Sequence, residues 1–326
     1  MTTAVLQQEL QALEGPWREL HRRGALPYVF LTPTWLRIWW EEFGEGRPLL
    51  LLAAHRSQEI IGIAPLMEND GQLSLAGDPN VCDYLDFVLA QGAEEEALSA
   101  LLDALGQRPW QEVALWGLPE GSPTLELLPR LASAAGYQVH LEREAVAPQM
   151  ALPASWEEYL ESLPGKDRHE LLRKLRRLSR VGDHRMERLQ QPDEVAAALD
   201  EFIHLHRISR PEKAHFMTER MDRFFRRLVV ALAEEGAAQL WFLRLAGERV
   251  AGLLCFTAPG TLQLYNSGYD PAYGQLAVGL LSKALLIEEA IREGYRRFDF
   301  LRGAEPYKYD LGARDRSIYR CLLRRG

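Results

Sequence analysis

Cysteine is nearly absent from this chain: 326 residues hold three, Cys82, Cys255 and Cys321, far apart and with no Cys-x-x-Cys spacing. Neither a disulfide framework nor a cysteine zinc site is indicated, and all three read as small buried hydrophobes. No apolar run approaches the roughly 18 residues that span a bilayer, and the start MTTAVLQQEL has no basic flank ahead of an apolar core. A cytoplasmic protein with no membrane partner is expected. Gly-x-Ser-x-Gly, His-Glu-x-x-His and Gly-x-x-x-x-Gly-Lys-Ser/Thr segments are all missing, which removes the usual hydrolase, zincin and nucleotide-loop readings. His204, His206 and His215 do not announce a ligand set, so no metal is expected. Lysine is scarce too, five residues among 38 basic ones.

What is present is an ordinary globular composition, 47% hydrophobic and 26% charged. The net charge of −8 hides an asymmetry: residues 1–150 carry 9 basic against 21 acidic side chains, residues 151–326 carry 29 against 25. An anionic ligand therefore belongs in the C-terminal half.

Two stretches about 190 residues apart read alike, residues 48–77 and 238–268. Each has an apolar run, a polar turn, a second apolar run with an aligned glycine (Gly62, Gly252), a glycine-containing turn and a third alternating run. This is an antiparallel meander written twice. Each copy continues through a helical segment (94–105, 276–293) into a short strand (112–116, 297–301). The order predicts an α+β fold of two related domains, 1–150 and 151–326, whose mixed, mostly antiparallel sheets are flanked by helices. A basic connecting helix falls at about 155–182, with Ser155 as N-cap and Glu158 three residues on. Its Leu171, Leu172, Leu175 and Leu178 keep helical spacing, so its arginines read first as a solvated face and second as a phosphate-binding one.

The most informative segment is 261–313. A turn at Tyr273-Gly274-Gln275 leads into a helix with one apolar stripe, Leu276, Leu280, Ala284, Ile287 and Ile291. A helix start offers unpaired N–H groups and a positive dipole end, which suits a pyrophosphate but is a feature of every helix. After it, residues 298–308, Phe-Asp-Phe-Leu-Arg-Gly-Ala-Glu-Pro-Tyr-Lys, resemble the "fDFLrGdepYK" signature of the CelD-like acetyltransferases, a branch of the GNAT superfamily with a doubled fold related to the FemAB transferases. Gly62-Ile63-Ala64-Pro65-Leu66, Asp83-Tyr84-Leu85-Asp86 and Tyr265-Asn266-Ser267-Gly268-Tyr269-Asp270 fit the same family.

The resemblance implies two tandem GNAT-like domains. The C-terminal one would hold acetyl-CoA or another acyl-CoA as co-substrate, and the N-terminal one would serve as substrate wall and scaffold. The family's Q/R-x-x-G-x-G/A loop carries over to Gln275, Leu276, Ala277, Val278, Gly279 and Leu280, with Leu281 where the family has a small residue. Glu305, Asp299, Tyr307 and Lys308 are the candidate catalytic groups: Glu305 as base, Tyr307 as thiolate proton donor, Lys308 as a cation for an acyl or phosphate oxygen. A salt bridge to Lys308 or Arg302 is the structural alternative for both acids, and a hydrophobic corner the alternative for Tyr307. Tyr265, Arg302 and His206 are candidate acceptor-binding residues, with a hydrogen-bonded structural histidine as the other reading of His206. The expected activity is N-acyl transfer to a small-molecule or saccharide amine, with no nucleic acid. The alternatives are a Fem-like aminoacyl-tRNA-dependent transferase and a catalytically silent binding module.

Overall fold

The computed structural model describes residues 2–7 and 9–326. The chain divides into two units, one of residues up to Val146 together with Arg316–Gly326, the other Ala147–Asp315. The first unit has strands β1 (Thr2–Gln7), β2 (Leu49–Arg56), β3 (Glu59–Asn69), β4 (Gln72–Leu75), β5 (Val88–Leu89), β6 (Glu112–Pro119) and β7 (Tyr137–Val146), with helices α1 (Leu10–Arg22), α2 (Pro33–Phe43), α3 (Glu94–Gly106) and α4 (Pro123–Ala134). Its sheet runs β1-β2-β3-β4-β6, then the C-terminal strand Ser317–Arg325, then β7, with β5 on β3.

That C-terminal strand departs from the 151–326 boundary expected from sequence. It lies antiparallel between β6 and β7, Leu323 opposite Val113 and Val139. Its inward residues Ile318, Cys321 and Leu323 complete the first unit's core. Strand pairing is a long-range choice, and alternation within a strand does not reveal which sheet it joins.

The second unit holds β8 (Gln149–Ala151), β9 (His184–Leu189), β10 (Ala238–Leu245), β11 (Glu248–Ala258), β12 (Thr261–Tyr269) and β13 (Arg297–Asp299) in the order β8-β13-β12-β11-β10-β9. Its helices are α5 (Trp156–Ser162), α6 (Gly165–Ser179), α7 (Pro192–Ser209), α8 (Pro211–Phe216), α9 (Glu219–Glu234), α10 (Val278–Arg292) and α11 (Pro306–Asp310). Ser155 caps α5 as expected, its Oγ accepting the Glu158 N–H at 3.1 Å. Leu171 and Leu178 of α6 and Leu281, Ala284, Ile287 and Ile291 of α10 share one core with the inward residues of β10, β11 and β12. Helices α7 and α9 also pack on this sheet.

Both sheets are mixed and mostly antiparallel, as the doubled meander predicts. Each contains one parallel pair at the matching place, β4 with β6 and β12 with β13. Among the described residues no helix is long and apolar enough to cross a membrane.

Gly268 sets how closely α7 approaches β12. A Cβ there would fall 2.3 Å from the His206 nitrogen and 2.4 Å from its Cα, both backbone atoms. Backbone cannot rotate away as a side chain can, so Gly268→Val should destabilise the protein by ~1–3 kcal/mol or more. Chemical denaturation should show a lower midpoint, and an unchanged midpoint would contradict this packing.

Candidate functional site

The site begins where two parallel strands part. Strands β12 and β13 pair only over Thr261, Leu262 and Gln263 against Arg297, Phe298 and Asp299, although β12 continues to Tyr269. On its other side β12 carries a bulge: Leu254 faces Asn266 and Cys255 faces Leu264, leaving Tyr265 extra. The bulge shifts the alternation. Leu262 and Leu264 join the core under α10, Asn266 and Gly268 turn toward α7, and Tyr269 returns to the α10 side.

From β12 the chain enters a 3₁₀ turn, Pro271–Leu276, capped by Asp270, whose Oδ1 accepts the Ala272 N–H at 2.8 Å. Ala277 follows in a left-handed conformation, φ 57°, and α10 starts at Val278, two residues later than the sequence pattern suggests. The Ala277 carbonyl takes the N–H groups of both Leu280 and Leu281. Those of Val278 and Gly279 have no backbone partner, and the first turn holds no acidic residue. Two bare donors and the positive end of a 15-residue helix thus point the same way. Gly279 lies against the Tyr269 ring, where a Cβ would come within 2.8 Å.

The loop after β13 is held from both ends. Asp299 is buried, its Oδ2 accepting from Gln149 Nε2 at 3.0 Å and its Oδ1 from the Leu301 N–H at 2.8 Å. Leu301 sits at φ 58°, which costs a non-glycine residue about 1–2 kcal/mol. Lys308, 2% exposed, donates to the carbonyls of Leu301, Arg302 and Gly303 at 3.0, 3.0 and 2.9 Å and meets Glu305 Oε2 at 2.9 Å. Gly303, φ 111°, leaves room for the Glu305 carboxylate, which an added Cβ would approach to 2.6 Å.

These elements enclose a cavity of about 440 Å³ whose walls include Ser267, Tyr269, Ala277, Gly279, Leu280, Glu305 and Tyr307. Three cations line it: Arg210, Lys213 and Lys283. Lys283, on the second turn of α10, donates to the Gly279 carbonyl at 2.7 Å and lies 5.0 Å from the centre of the Tyr307 ring. Burial, aided by the charges of Lys213 and Arg210, pushes its ammonium down to about 7. Lys213, on α8, donates to the Ser267 carbonyl. Burial and the neighbouring Arg210 push it down to about 8. Burial raises the Tyr307 hydroxyl well above the ordinary tyrosine range, with the Glu305 charge adding to it.

Of the sequence candidates, Ala277, Gly279, Leu280, Glu305 and Tyr307 meet at this cavity. Gln275 is exposed, Leu276 ends the 3₁₀ turn, and Val278 buries its side chain in the core, leaving only its backbone for the site. Asp299, Lys308 and Arg302 belong to the loop behind the cavity wall: the first two brace it, and the third lends a carbonyl to Lys308. Tyr265 and His206 are not on the cavity wall. Tyr265 stacks between Phe225 and Phe256, with ring centres 5.8 and 4.7 Å away. His206 is 1% exposed, its Nε2 is 2.8 Å from Asn266 Oδ1, and burial together with the Lys213 charge pushes it down to about 4. It is therefore neutral at pH 7, with Nε2 as the donor to the amide oxygen. Sequence reading passed over Arg210, Lys213 and Lys283. The available signal was compositional, since Lys213, Lys283 and Lys308 are three of only five lysines.

Residues 165–309, which lie within the second unit, match the family model of the acetyltransferase (GNAT) domain. No curated protein matches the sequence. Among solved structures the fold is similar to FemX, with TM-score 0.67 and 13% identity over 97% of this chain and 96% of that one. It is also similar to the C-terminal domain (DUF2156) of an Agrobacterium fabrum protein described as a lysylphosphatidylglycerol synthetase (TM-score 0.63, 11% identity, 96% and 92% covered). A Bacteroides thetaiotaomicron protein of unknown function gives TM-score 0.60 and 12% identity, with 98% and 99% covered. At these identities the likeness is one of fold.

Lys308→Met removes the one donor shared by three carbonyls and leaves the left-handed Leu301 supported only by Asp299. A loss of ~2–4 kcal/mol is expected, with a matching drop in melting temperature. Asp299→Asn, which keeps an acceptor oxygen for the Leu301 N–H, should cost clearly less. Equal stability of Lys308→Met and the unaltered protein would refute the clamp.

Proposed function

We propose that the second unit transfers an acyl group from acyl-CoA to an amine, as the CelD-like resemblance at 298–308 suggests. The observation that carries this reading is the bare start of α10, two partnerless N–H groups beside a cation-lined cavity at the parting of β12 and β13. A pyrophosphate fits that donor set: the N–H groups of Val278 and Gly279 would hold it, with Lys283 adding charge. Acyl-CoA supplies the thioester whose C–S bond breaks as the amine nitrogen forms the new C–N bond. Glu305, 52% exposed and on the cavity wall, accepts the proton that the amine loses. Tyr307, kept protonated by its burial, donates to the departing sulfur. Lys308 acts through the loop. The first unit is proposed as scaffold.

The Fem-like reading draws on the likeness to FemX and on the arginines of α6, but Arg173 there is already paired with Glu170 at 2.7 Å. Three cations in the cavity also oppose a cationic aminoacyl group.

Because Lys283 titrates near 7 in the free protein, an anion bound at α10 would raise that value, and binding would take up a proton. Affinity for CoA should therefore fall as pH rises from about 6.5 to 8.5. Calorimetry in two buffers of different ionisation enthalpy should show the proton uptake, and a pH-independent affinity would take Lys283 out of the site.

Glu305→Gln should keep acyl-CoA affinity and lose under about 1 kcal/mol of stability, since the carboxylate is half exposed. Turnover should drop by ~10²–10⁴, with partial relief at high pH where more acceptor amine is already neutral. Normal turnover in this variant would place the base elsewhere.

A further inference from the structure

The cations of the cavity outnumber what a CoA phosphate requires. Lys283 sits at the α10 start, with its ammonium on the Gly279 carbonyl. Lys213 lies apart from that point, on Ser267 of β12. Ser267 is two residues before Tyr269, the residue packed on Gly279. Two strand residues span about 6–7 Å, so Lys213 stands that far along the strand toward the point where β12 and β13 separate. Arg210, at the start of α8, shares this wall, and among the described residues its guanidinium makes no hydrogen bond or ion pair.

Glu305 is the one acid among the residues lining the cavity, and it is already in contact with Lys308. Lys213 is thus a half-buried cation beside a second cation, with no acid in contact with it and with the Glu305 charge favouring it less than burial and Arg210 oppose it. Such a pair is unfavourable in the empty protein, and Lys213 titrates low in consequence. The matching negative charge is one a ligand must bring.

We propose that the acyl group accepted here carries its own carboxylate, which Lys213 and Arg210 bind where β12 parts from β13, so that the donor is a dicarboxylic acyl-CoA. This rests on the acyl-CoA reading above. An acetyl or plain alkanoyl group would leave the two cations unmatched. An aminoacyl group would add a third positive charge. A carboxylate meets an ammonium and a guanidinium, the second in a geometry that allows two parallel hydrogen bonds.

The test uses two unreactive thioethers of nearly equal size, S-(3-carboxypropyl)-CoA and S-butyl-CoA, titrated into the full-length protein with no acceptor amine present. The carboxylated compound should bind at least about tenfold more tightly, as expected for charge-assisted hydrogen bonds formed on binding. Arg210→Gln, at an exposed position, and Lys213→Met should each bring the ratio of the two dissociation constants toward one. Equal binding of both compounds by the unaltered protein, or a ratio that survives both substitutions, overturns this inference and leaves the acyl-CoA reading standing. Binding of neither compound overturns both. Because no acceptor is present, a carboxylate that belongs to the acceptor would show up as equal binding of the two donor analogues.

Discussion

The cavity depends on a loop that would not keep its shape unaided. Between Asp299 and Pro306 the chain leaves a strand, passes through a left-handed leucine and a glycine at φ 111°, and starts a five-residue helix. None of this is regular structure, so its polar groups must find partners elsewhere. Asp299 supplies the acceptor for the Leu301 N–H, and Lys308 supplies one ammonium for three consecutive carbonyls. With the loop fixed in this way, Glu305 and Tyr307 are presented to the cavity from either side of Pro306. The polar residues near the ends of the motif are therefore braces, and the two groups that reach the cavity, Glu305 and Tyr307, lie between or beside them.

The doubled architecture shows why one unit has such a site. Both units place a helix after a meander and return through a strand parallel to the third one. In the first unit that helix, α3, opens with Glu94, Glu95 and Glu96, three acids in the first turn, where negative charge suits the helix dipole. In the second, α10 opens with Val278, Gly279 and Leu280 and no acid at all. One helix start carries acids of its own sequence, while the other carries none. The charge asymmetry between the two halves agrees with this division.

The meanders and the main helices were legible because each is local: alternation of period two, apolar spacing of three and four, glycine at the turns. Ser155 and Glu158 announced a helix start for the same reason. Pairing of Ser317–Arg325 with the first sheet was not legible, since nothing inside a strand names its neighbour. His206 was a candidate for its imidazole and Tyr265 for its place in a family-like segment, but the bulge at Tyr265 determines which way that strand faces, and bulges leave little trace in sequence. Lys213 and Lys283 lie 70 residues apart and come together only through the fold. Lys308 was visible by position, but its partners are backbone carbonyls, which no residue pattern records.

The choice of lysine at these three places follows from what arginine cannot do. Residues 213, 283 and 308 are lysines in a chain whose other cations are almost all arginines. At 308 the ammonium is surrounded by three carbonyls and a carboxylate within 3.0 Å, a compact arrangement for which a planar guanidinium has the wrong shape. At 283 and 213 the requirement is different. A guanidinium stays charged at any physiological pH, so burying one beside two other cations would impose the full cost of desolvation and repulsion on the empty protein. Lysine can give up its proton instead, and does so near pH 7 and 8 respectively. The cavity can then carry less positive charge when empty than when an anion has entered. Arg210, the exposed member of the group, is the position where a permanent charge costs least, and it is the one that remained arginine.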